Sequence, residues 1–463
     1  MLSVEHAQKV IDAALSLGAD FADLFVEENQ LSTIQFLSSK VNEIKSGIDF
    51  GIGIRLIYNN DVVYGYTNSK NLDDLIELTH KLGALNKKQQ VSNPTPLAHK
   101  AVQNIHQVTT GLSNDVALDE KVRYLTQLDQ WVREESEKIV QASLMSIQRK
   151  QKVHIFNSEG LDISDQRDYI RFGISAIAAD AGEQHSAFEG PGALKGWEFS
   201  KEINGQEIAK TVARVALTKL TAEPCPAGKM PVIIDQGFGG VIFHEACGHL
   251  LETTSVAKKA SVFHDKMGEM IAHEALSAVD DGTIASSWGS INIDDEGMET
   301  QKTQLIKNGK LVGFLSDRVG AAKCDIPRTG SARKQNYKFA PASRMRNTYI
   351  EAGKDKFEDM ISSIDKGIYC KRMGGGSVMP GTGEFNFNAD ESYLIEDGKI
   401  TRPLKSATLI GQGDEIMTKI SMVSDNLSLS AGMCGSVSGG VPVTVGQPAI
   451  KVDEILVGGQ ANG

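Results

Sequence analysis

The sequence predicts an α+β protein: two smaller helix-strand-helix N-terminal units followed by a large strand-rich C-terminal domain. Three observations carry this reading. Amphipathic helix patterns bracket strand patterns twice in the first half of the chain. Glycine is plentiful, at 45 of 463 residues, which suits a fold rich in turns and strands. Beyond Pro224-Cys225-Pro226 the pattern changes to short apolar runs separated by hairpin signals. The expected units are 1–96, 97–226 and 227–463.

In the first unit Ser3 caps a helix over Val4 to Leu17, with Val4, Ala7, Val10, Ile11, Ala14 and Leu15 on one face and Gly18 at its end. Strand-like runs follow at Asp23 to Glu28, Leu31 to Leu37 and Phe50 to Tyr58, and Asn59-Asn60-Asp61 turns the chain into Val62 to Tyr66. A second helix is expected from Leu72 to Leu85, then a polar linker from Asn86 to Pro96. The second unit repeats this order: a helix over Leu118 to Glu135, strands at Ile139 to Ile147, Val153 to Phe156 and Tyr169 to Ala179, and a helix over Gln206 to Leu220. Ile34-Gln35-Phe36-Leu37-Ser38 resembles His154-Ile155-Phe156-Asn157-Ser158, and Phe50-Gly51-Ile52 resembles Phe172-Gly173-Ile174. These matches read equally as a weak internal repeat and as strand residues shared by chance. In the third unit Asn308-Gly309 and Asp397-Gly398 are hairpin signals. Gly374-Gly375-Gly376 is no phosphate loop, since no Gly-Lys-Ser/Thr follows; it reads first as a plain loop and second as a place where the backbone approaches a ligand closely.

Composition narrows the function classes. A hydrophobic fraction of 41% is that of an ordinary globular chain, and a net charge of −11 leaves no basic surplus to neutralise phosphates, so no direct nucleic-acid partner is expected. No apolar run approaches membrane-spanning length, and the N-terminus shows no basic n-region or apolar h-region. Five scattered cysteines do not form a disulfide framework, so a reducing cytoplasm is the expected location.

The chemistry concentrates in His244-Glu245-Ala246-Cys247-Gly248-His249, a His-Glu-x-x-x-His pattern. Two imidazoles can hold zinc, and a carboxylate beside the first can take a proton from a metal-bound water. On a regular helix the five-residue spacing would set the rings about 140° apart. Either a π-bulge realigns them, eased by Gly248, or the helix ends at Gly248 and His249 reaches back from a turn. Such a pattern arises by chance in roughly one chain of this size in a hundred, so its flanks matter. They are a buried strand at Pro231-Val232-Ile233-Ile234-Asp235, a glycine turn at Gly237-Phe238-Gly239-Gly240, and the apolar helix start Val241-Ile242-Phe243. A catalytic zinc needs a third protein ligand, and the residues alone leave Cys247, His264, His273 and Cys434 open. Cys247 should point away from both rings. His264 and His273 are candidates by nearness only. Cys434 sits in Ala431-Gly432-Met433-Cys434-Gly435, where flanking glycines allow close approach to a metal.

The His244 to His249 motif resembles that of the TldD/PmbA family of zinc metallopeptidases. So do Arg344-Met345-Arg346-Asn347-Thr348, the glycine-rich stretch from Met373 to Gly383, and Met433-Cys434-Gly435 with Val441-Pro442-Val443. The resemblance covers most of the chain, with several motifs in the same order. It implies His244, His249 and Cys434 as zinc ligands and Glu245 as general base. It also implies a peptide substrate and a two-subunit shell around a closed cavity, as a homodimer or as a heterodimer with a PmbA-like subunit. PmbA-like partners lack the zinc motif, so this chain resembles the catalytic, TldD-like type. Ser436-Val437-Ser438-Gly439 departs from the family, which often has a lysine and then a Gly-Gln pair there. That leaves the zinc ligand intact and removes a basis for assigning substrate contacts at those positions. Two other functions compete: a deformylase-like amidase, which uses the same donor set in a far shorter chain, and a regulator associated with DNA gyrase, a name the family also carries.

Overall fold

The computed structural model describes residues 2–85, 95–106, 108, 116–379 and 382–459. Residues 86–94 of the expected polar linker, and residues 380 and 381 of the glycine-rich stretch, lie outside them. The fold is α+β, and among the described residues no helix is long and apolar enough to cross a membrane.

The N-terminal half runs α1 (Val4–Ser16), β1 (Phe21–Leu37), β2 (Lys40–Tyr58), β3 (Asp61–Thr67), α2 (Leu72–Gly83), β4 (Ala98–Lys100), α3 (Leu118–Glu134), β5 (Ile139–Asn157), β6 (Leu161–Asp180), β7 (Glu183–Glu189), β8 (Gly192–Ala193), α4 (Phe199–Glu202) and α5 (Gly205–Leu220). Local chemistry sets many of these limits. The Ser3 side chain accepts from the His6 N–H at 3.2 Å and so caps α1, and Gly18 takes φ +83° after its end. Asn59 and Asn60 both take positive φ, which closes the β2–β3 hairpin with Tyr58 opposite Asp61.

Each expected pair of short strands is in fact one long strand. Polar residues such as Glu28 and Asn29 interrupt the apolar pattern of β1, but the backbone continues because β2 and β5 pair with it on either side. Antiparallel β1–β5 pairing joins both halves into one eight-stranded sheet with β3-β2-β1-β5-β6-β4 at its heart and β7 and β8 on β6. The repeated segments occupy matching places in this sheet: Phe36 and Phe156 close the first strand of each hairpin, and Phe50 and Phe172 lie on the returning strand.

The C-terminal part contains β9 (Gly228–Ile234), α6 (Val241–Ala246), α7 (Thr253–Val256), β10 (Ala278–Asp281), β11 (Lys302–Lys307), β12 (Lys310–Leu311), α8 (Arg318–Cys324), β13 (Ala332–Arg333), β14 (Ala342–Ser343), β15 (Asn347–Ile350), α9 (Phe357–Ser362), β16 (Lys366–Met379), β17 (Glu384–Glu396), β18 (Lys399–Leu404), β19 (Ala407–Gln412), α10 (Gly413–Ile416), β20 (Ile420–Val423), β21 (Ser428–Ser436), β22 (Gly439–Gln447) and β23 (Ile450–Gly458). One sheet has the order β12-β11-β10-β15-β22-β21, which leaves β21 as an edge strand. A second follows β16-β9-β23-β19-β17, and β16–β17 pairing closes that path on itself. Asn308-Gly309 and Asp397-Gly398 turn two of the hairpins with positive φ, as their residue types require.

The triple glycine is not a loop but part of β16. A Cβ at Gly376 would lie 2.0 Å from the Phe387 ring, so glycine there admits a core phenylalanine. The N-terminal sheet meets the C-terminal part through buried ion pairs. Arg55 joins Asp23 and Glu296, and Arg167 reaches Asp295 at 2.7 Å and the Ile293 carbonyl at 2.8 Å.

Candidate metal centre

The site begins at β9, whose Val232 and Ile234 are fully buried in the main core. A tight turn over Gly237–Gly240 leads into α6. The glycines are forced by proximity: a Cβ at Gly240 would lie 2.5 Å from the backbone of Gly446 in β22. The motif helix is thereby pressed against the partner of the strand that carries Cys434.

The spacing of the histidines is resolved by a break in the helix. α6 ends at Ala246, Cys247 takes φ −133° and ψ −50°, and a tighter 3₁₀ turn runs over Gly248–Leu251. His249 therefore comes back from a turn, close to the second geometry expected, with the break one residue earlier, at Cys247. Gly248 does not adopt a positive φ. Its value is steric, since a Cβ would stand 2.3 Å from the Met345 sulfur.

The outcome is a compact donor cluster. One ligand atom each from His244, His249 and Cys434 lie within 4.8 Å of one another, and all three residues are buried. The imidazole centroids are 4.9 Å apart at 84°, and Cys434 Sγ lies 3.2 Å from His249 Nε2. The other candidates lie elsewhere. Cys247 is buried in the apolar core, where burial pushes its thiol far up. His264 Nδ1 contacts the Ser261 carbonyl at 2.9 Å, and His273 Nδ1 accepts from the Ala275 N–H at 3.2 Å.

The electrostatics favour a thiolate. Burial opposes ionisation of Cys434, but His244 and His249 overcome it and bring the thiol down to about 3. Burial likewise opposes charge on His249, while Glu252 and Cys434 hold that ring well above its ordinary value. Among the described residues His244 Nδ1 is buried with no hydrogen-bond partner. Burial pushes the Glu245 carboxyl up, against the pull of His244 and His249. Its nearest oxygen is 3.9 Å from His249 Nε2, and the side chain is 18% exposed. Among the described residues it enters no hydrogen bond.

Three positioning groups complete the centre. Glu252, 2% exposed, sits 3.1 Å from His249 Nδ1 and accepts from the Met345 N–H at 3.3 Å, fixing the ring. The sequence carries a signal for it, an acid three residues after the second histidine. Arg344 is fully buried and clamps the thiol strand. Its Nη2 donates to the Cys434 carbonyl at 2.6 Å, and its Nη1 donates to Ser438 Oγ at 2.9 Å and the Gly439 carbonyl at 2.8 Å. Arg346, also fully buried, locks the neighbouring strand to Asp280 with Nε–Oδ1 at 2.6 Å. The Arg344-Met345-Arg346 motif thus holds the strands and the turn around the centre in place. Ser438 belongs to the atypical hairpin tip and is held by this clamp.

Tetrahedral zinc bound through two imidazoles and a thiolate separates its ligand atoms by roughly 3.3–3.7 Å, so the cluster needs little adjustment to take one. The donor set is mixed nitrogen and sulfur, which suits zinc, and three protein ligands would leave a fourth position for water or substrate.

Three converging buried donors and an adjoining carboxylate define a hydrolase-type candidate metal centre. The comparisons then place the chain: it belongs to the PmbA/TldA metallopeptidase family, matching its C-terminal domain over 227–459, its central domain over 111–220 and its first domain over 22–83. It is 36% identical over 468 residues to a Haemophilus influenzae protein named metalloprotease TldD homolog, covering 99% of this chain and 97% of that one. A metalloprotease of Methanocaldococcus jannaschii is 31% identical over 97% of this chain and 99% of its own. Among solved structures, TldE from Thermococcus kodakarensis superposes with a TM-score of 0.77 at 20% identity, covering 98% of this chain and 99% of that chain. A Thermotoga maritima protein named for modulation of DNA gyrase gives 0.80 at 20% identity, with 98% and 99% covered.

Proposed function

We propose that the chain is a zinc-dependent peptidase acting on short or unfolded peptides, with Glu245 as general base. The observation that carries this reading is the convergence of His244, His249 and Cys434 on one point beside a carboxylate that, among the described residues, enters no hydrogen bond. Zinc, when bound, would lower the pKa of a coordinated water towards neutrality and polarise the peptide carbonyl. Glu245 would accept the proton released there and pass it to the leaving amine. Its burial favours that role, because a raised carboxyl holds a proton more readily than an exposed one. Glu252 would keep His249 oriented and play no part in proton transfer, since both of its oxygens are engaged.

Strand β21 supports the expected substrate form. It carries Cys434 and is an edge strand, so an extended peptide can add to it through main-chain hydrogen bonds with little demand on side chains. Met433 and Val437, 56% and 69% exposed, flank the thiol, and we take this apolar rim as the place where a second subunit, identical or PmbA-like, closes the cavity. The test is Glu245→Gln. It should retain zinc and lose about 10² to 10⁴-fold in peptide turnover. Near wild-type turnover would remove Glu245 from the mechanism.

A further inference from the structure

A cavity of about 760 Å³ opens beside the thiol strand, lined by Ser428 to Ala431 of β21, the Gly237–Gly239 turn, and the rings of Phe188, Phe199 and Phe238. Its charged groups are nearly all matched. Arg372 pairs with Glu189, Lys371 lies 3.5 Å from Glu391, and Asp390 pairs with Lys219. Arg171 is the exception. Among the described residues it meets no carboxylate: its Nε donates to the Gly190 carbonyl at 3.1 Å, its Nη2 to the Ala431 carbonyl at 3.4 Å, and its guanidinium lies 5.6 Å from the Trp288 ring. Burial pulls it below the ordinary arginine value, and among the described residues no opposite charge opposes that pull. A partly buried cation without a counter-charge, facing a cavity, favours an anionic occupant.

The Ala431 contact fixes where that occupant must lie. Thr444, opposite Ala431 in β22, turns its N–H away to the Arg346 carbonyl of the neighbouring segment at 2.8 Å. In an antiparallel ladder such a pair is not hydrogen-bonded to each other, so the Ala431 carbonyl points to the free edge, and Arg171 occupies it. Met433 and Gly435 share this outward direction. Arg171 therefore ends the usable edge three positions before Cys434, roughly 10 Å along the strand. A peptide lying antiparallel on β21 runs from the thiol towards Arg171 in its own N-to-C direction. Its C-terminus then arrives at the unmatched guanidinium, whereas a parallel peptide would bring its positive N-terminus there.

We infer that Arg171 receives the C-terminal carboxylate of a peptide paired with β21, so that the chain removes short segments, about three residues long, from free C-termini. This rests on the peptidase reading above. One water is consumed: the C–N bond breaks, the acyl carbon gains the hydroxyl, and the leaving amine gains the proton.

The experiment uses the full-length Glu245→Gln variant and one fluorescently labelled nine-residue peptide in three forms: free acid, C-terminal amide, and amide ending in glutamate. Binding is read by anisotropy. The free acid should bind about tenfold or more tightly than either amide, as expected for a charge-assisted pair. Adding Arg171→Gln should bring the acid-to-amide ratio close to one, while Arg171→Lys should keep part of it. Equal binding of acid and amide, or no binding of any form, overturns the assignment to Arg171. Glutamate amide binding as tightly as the free acid overturns the terminal-carboxylate assignment in favour of an acidic side chain. Wild-type protein should cut the free acid two to four residues from its end. A clear acid preference in binding with no cleavage by the wild type would contradict the peptidase reading and leave the Arg171 site standing.

Discussion

Glu252→Gln should loosen zinc without unfolding the protein. The glutamate is 2% exposed and serves two partners: Oε2 lies 3.1 Å from His249 Nδ1, and Oε1 accepts from the Met345 N–H at 3.3 Å. Glutamine keeps the shape and one acceptor but loses the negative charge that orients and polarises the imidazole. Loss of such a partner behind a metal-ligating histidine typically costs 10 to 100-fold in metal affinity or activity, roughly 1.4 to 2.7 kcal/mol. Glu252→Ala should do more, because it leaves the buried Met345 N–H without its acceptor, a further penalty of about 1–3 kcal/mol in stability. Titrating apo protein with zinc against a competing chelator gives the affinity, and thermal unfolding of the same samples gives the stability. Zinc binding should weaken in both variants, and the melting temperature should fall mainly in the alanine variant. Unchanged zinc affinity in Glu252→Gln would refute the claim that Glu252 positions His249.

Two further outcomes are expected. The Asp317 carboxyl caps α8, accepting from the Gly320 N–H at 3.0 Å, and burial, first, with Glu296 adding to it, pushes it up to about 6. A raised carboxyl costs stability above its folded pKa and nothing below its unfolded value near 3.8, so the cost develops between those limits. Asparagine caps a helix as well as aspartate does, so Asp317→Asn should gain up to about 3 kcal/mol at pH 7.5 and little at pH 4, read by thermal unfolding at both values. For substrate form, one cleavable sequence presented as a free peptide and within a rigid loop of a stable domain should be cut only when free; equal rates would contradict a site that needs an extended strand at a closed cavity.

Much of this was legible in the sequence because local chemistry dictated it. Ser3, Asn59-Asn60, Asn308-Gly309 and Asp397-Gly398 mark ends and turns through side-chain acceptors and tolerance of positive φ, which do not depend on distant residues. The strands of the N-terminal sheet were harder to read at full length. Glu28 and Asn29 look like a break, and only pairing from β2 and β5 carries the strand through them. At the site, the histidine pair was visible in the motif, but whether a bulge or a break aligns them depends on Cys247 and on the packing of Met345 against Gly248, which join segments about a hundred residues apart in sequence. Composition and spacing could not choose Cys434 over Cys247, His264 or His273, because β21 reaches the centre only through its register with β22. The role of Arg344 was hidden for the same reason, since it is defined by what the tertiary fold brings to it, whereas Glu252 was marked in the sequence by its place three residues after His249.

The most direct test of the account is elemental analysis of purified wild-type protein and Cys434→Ala, each incubated with zinc and then dialysed. The wild type should hold close to one zinc per chain and the variant much less, with both proteins folded, because Cys434 is one of three protein donors within 4.8 Å of one another. Full zinc retention by Cys434→Ala would contradict the assignment of the third ligand, and a wild type that holds no zinc would contradict the metal centre itself.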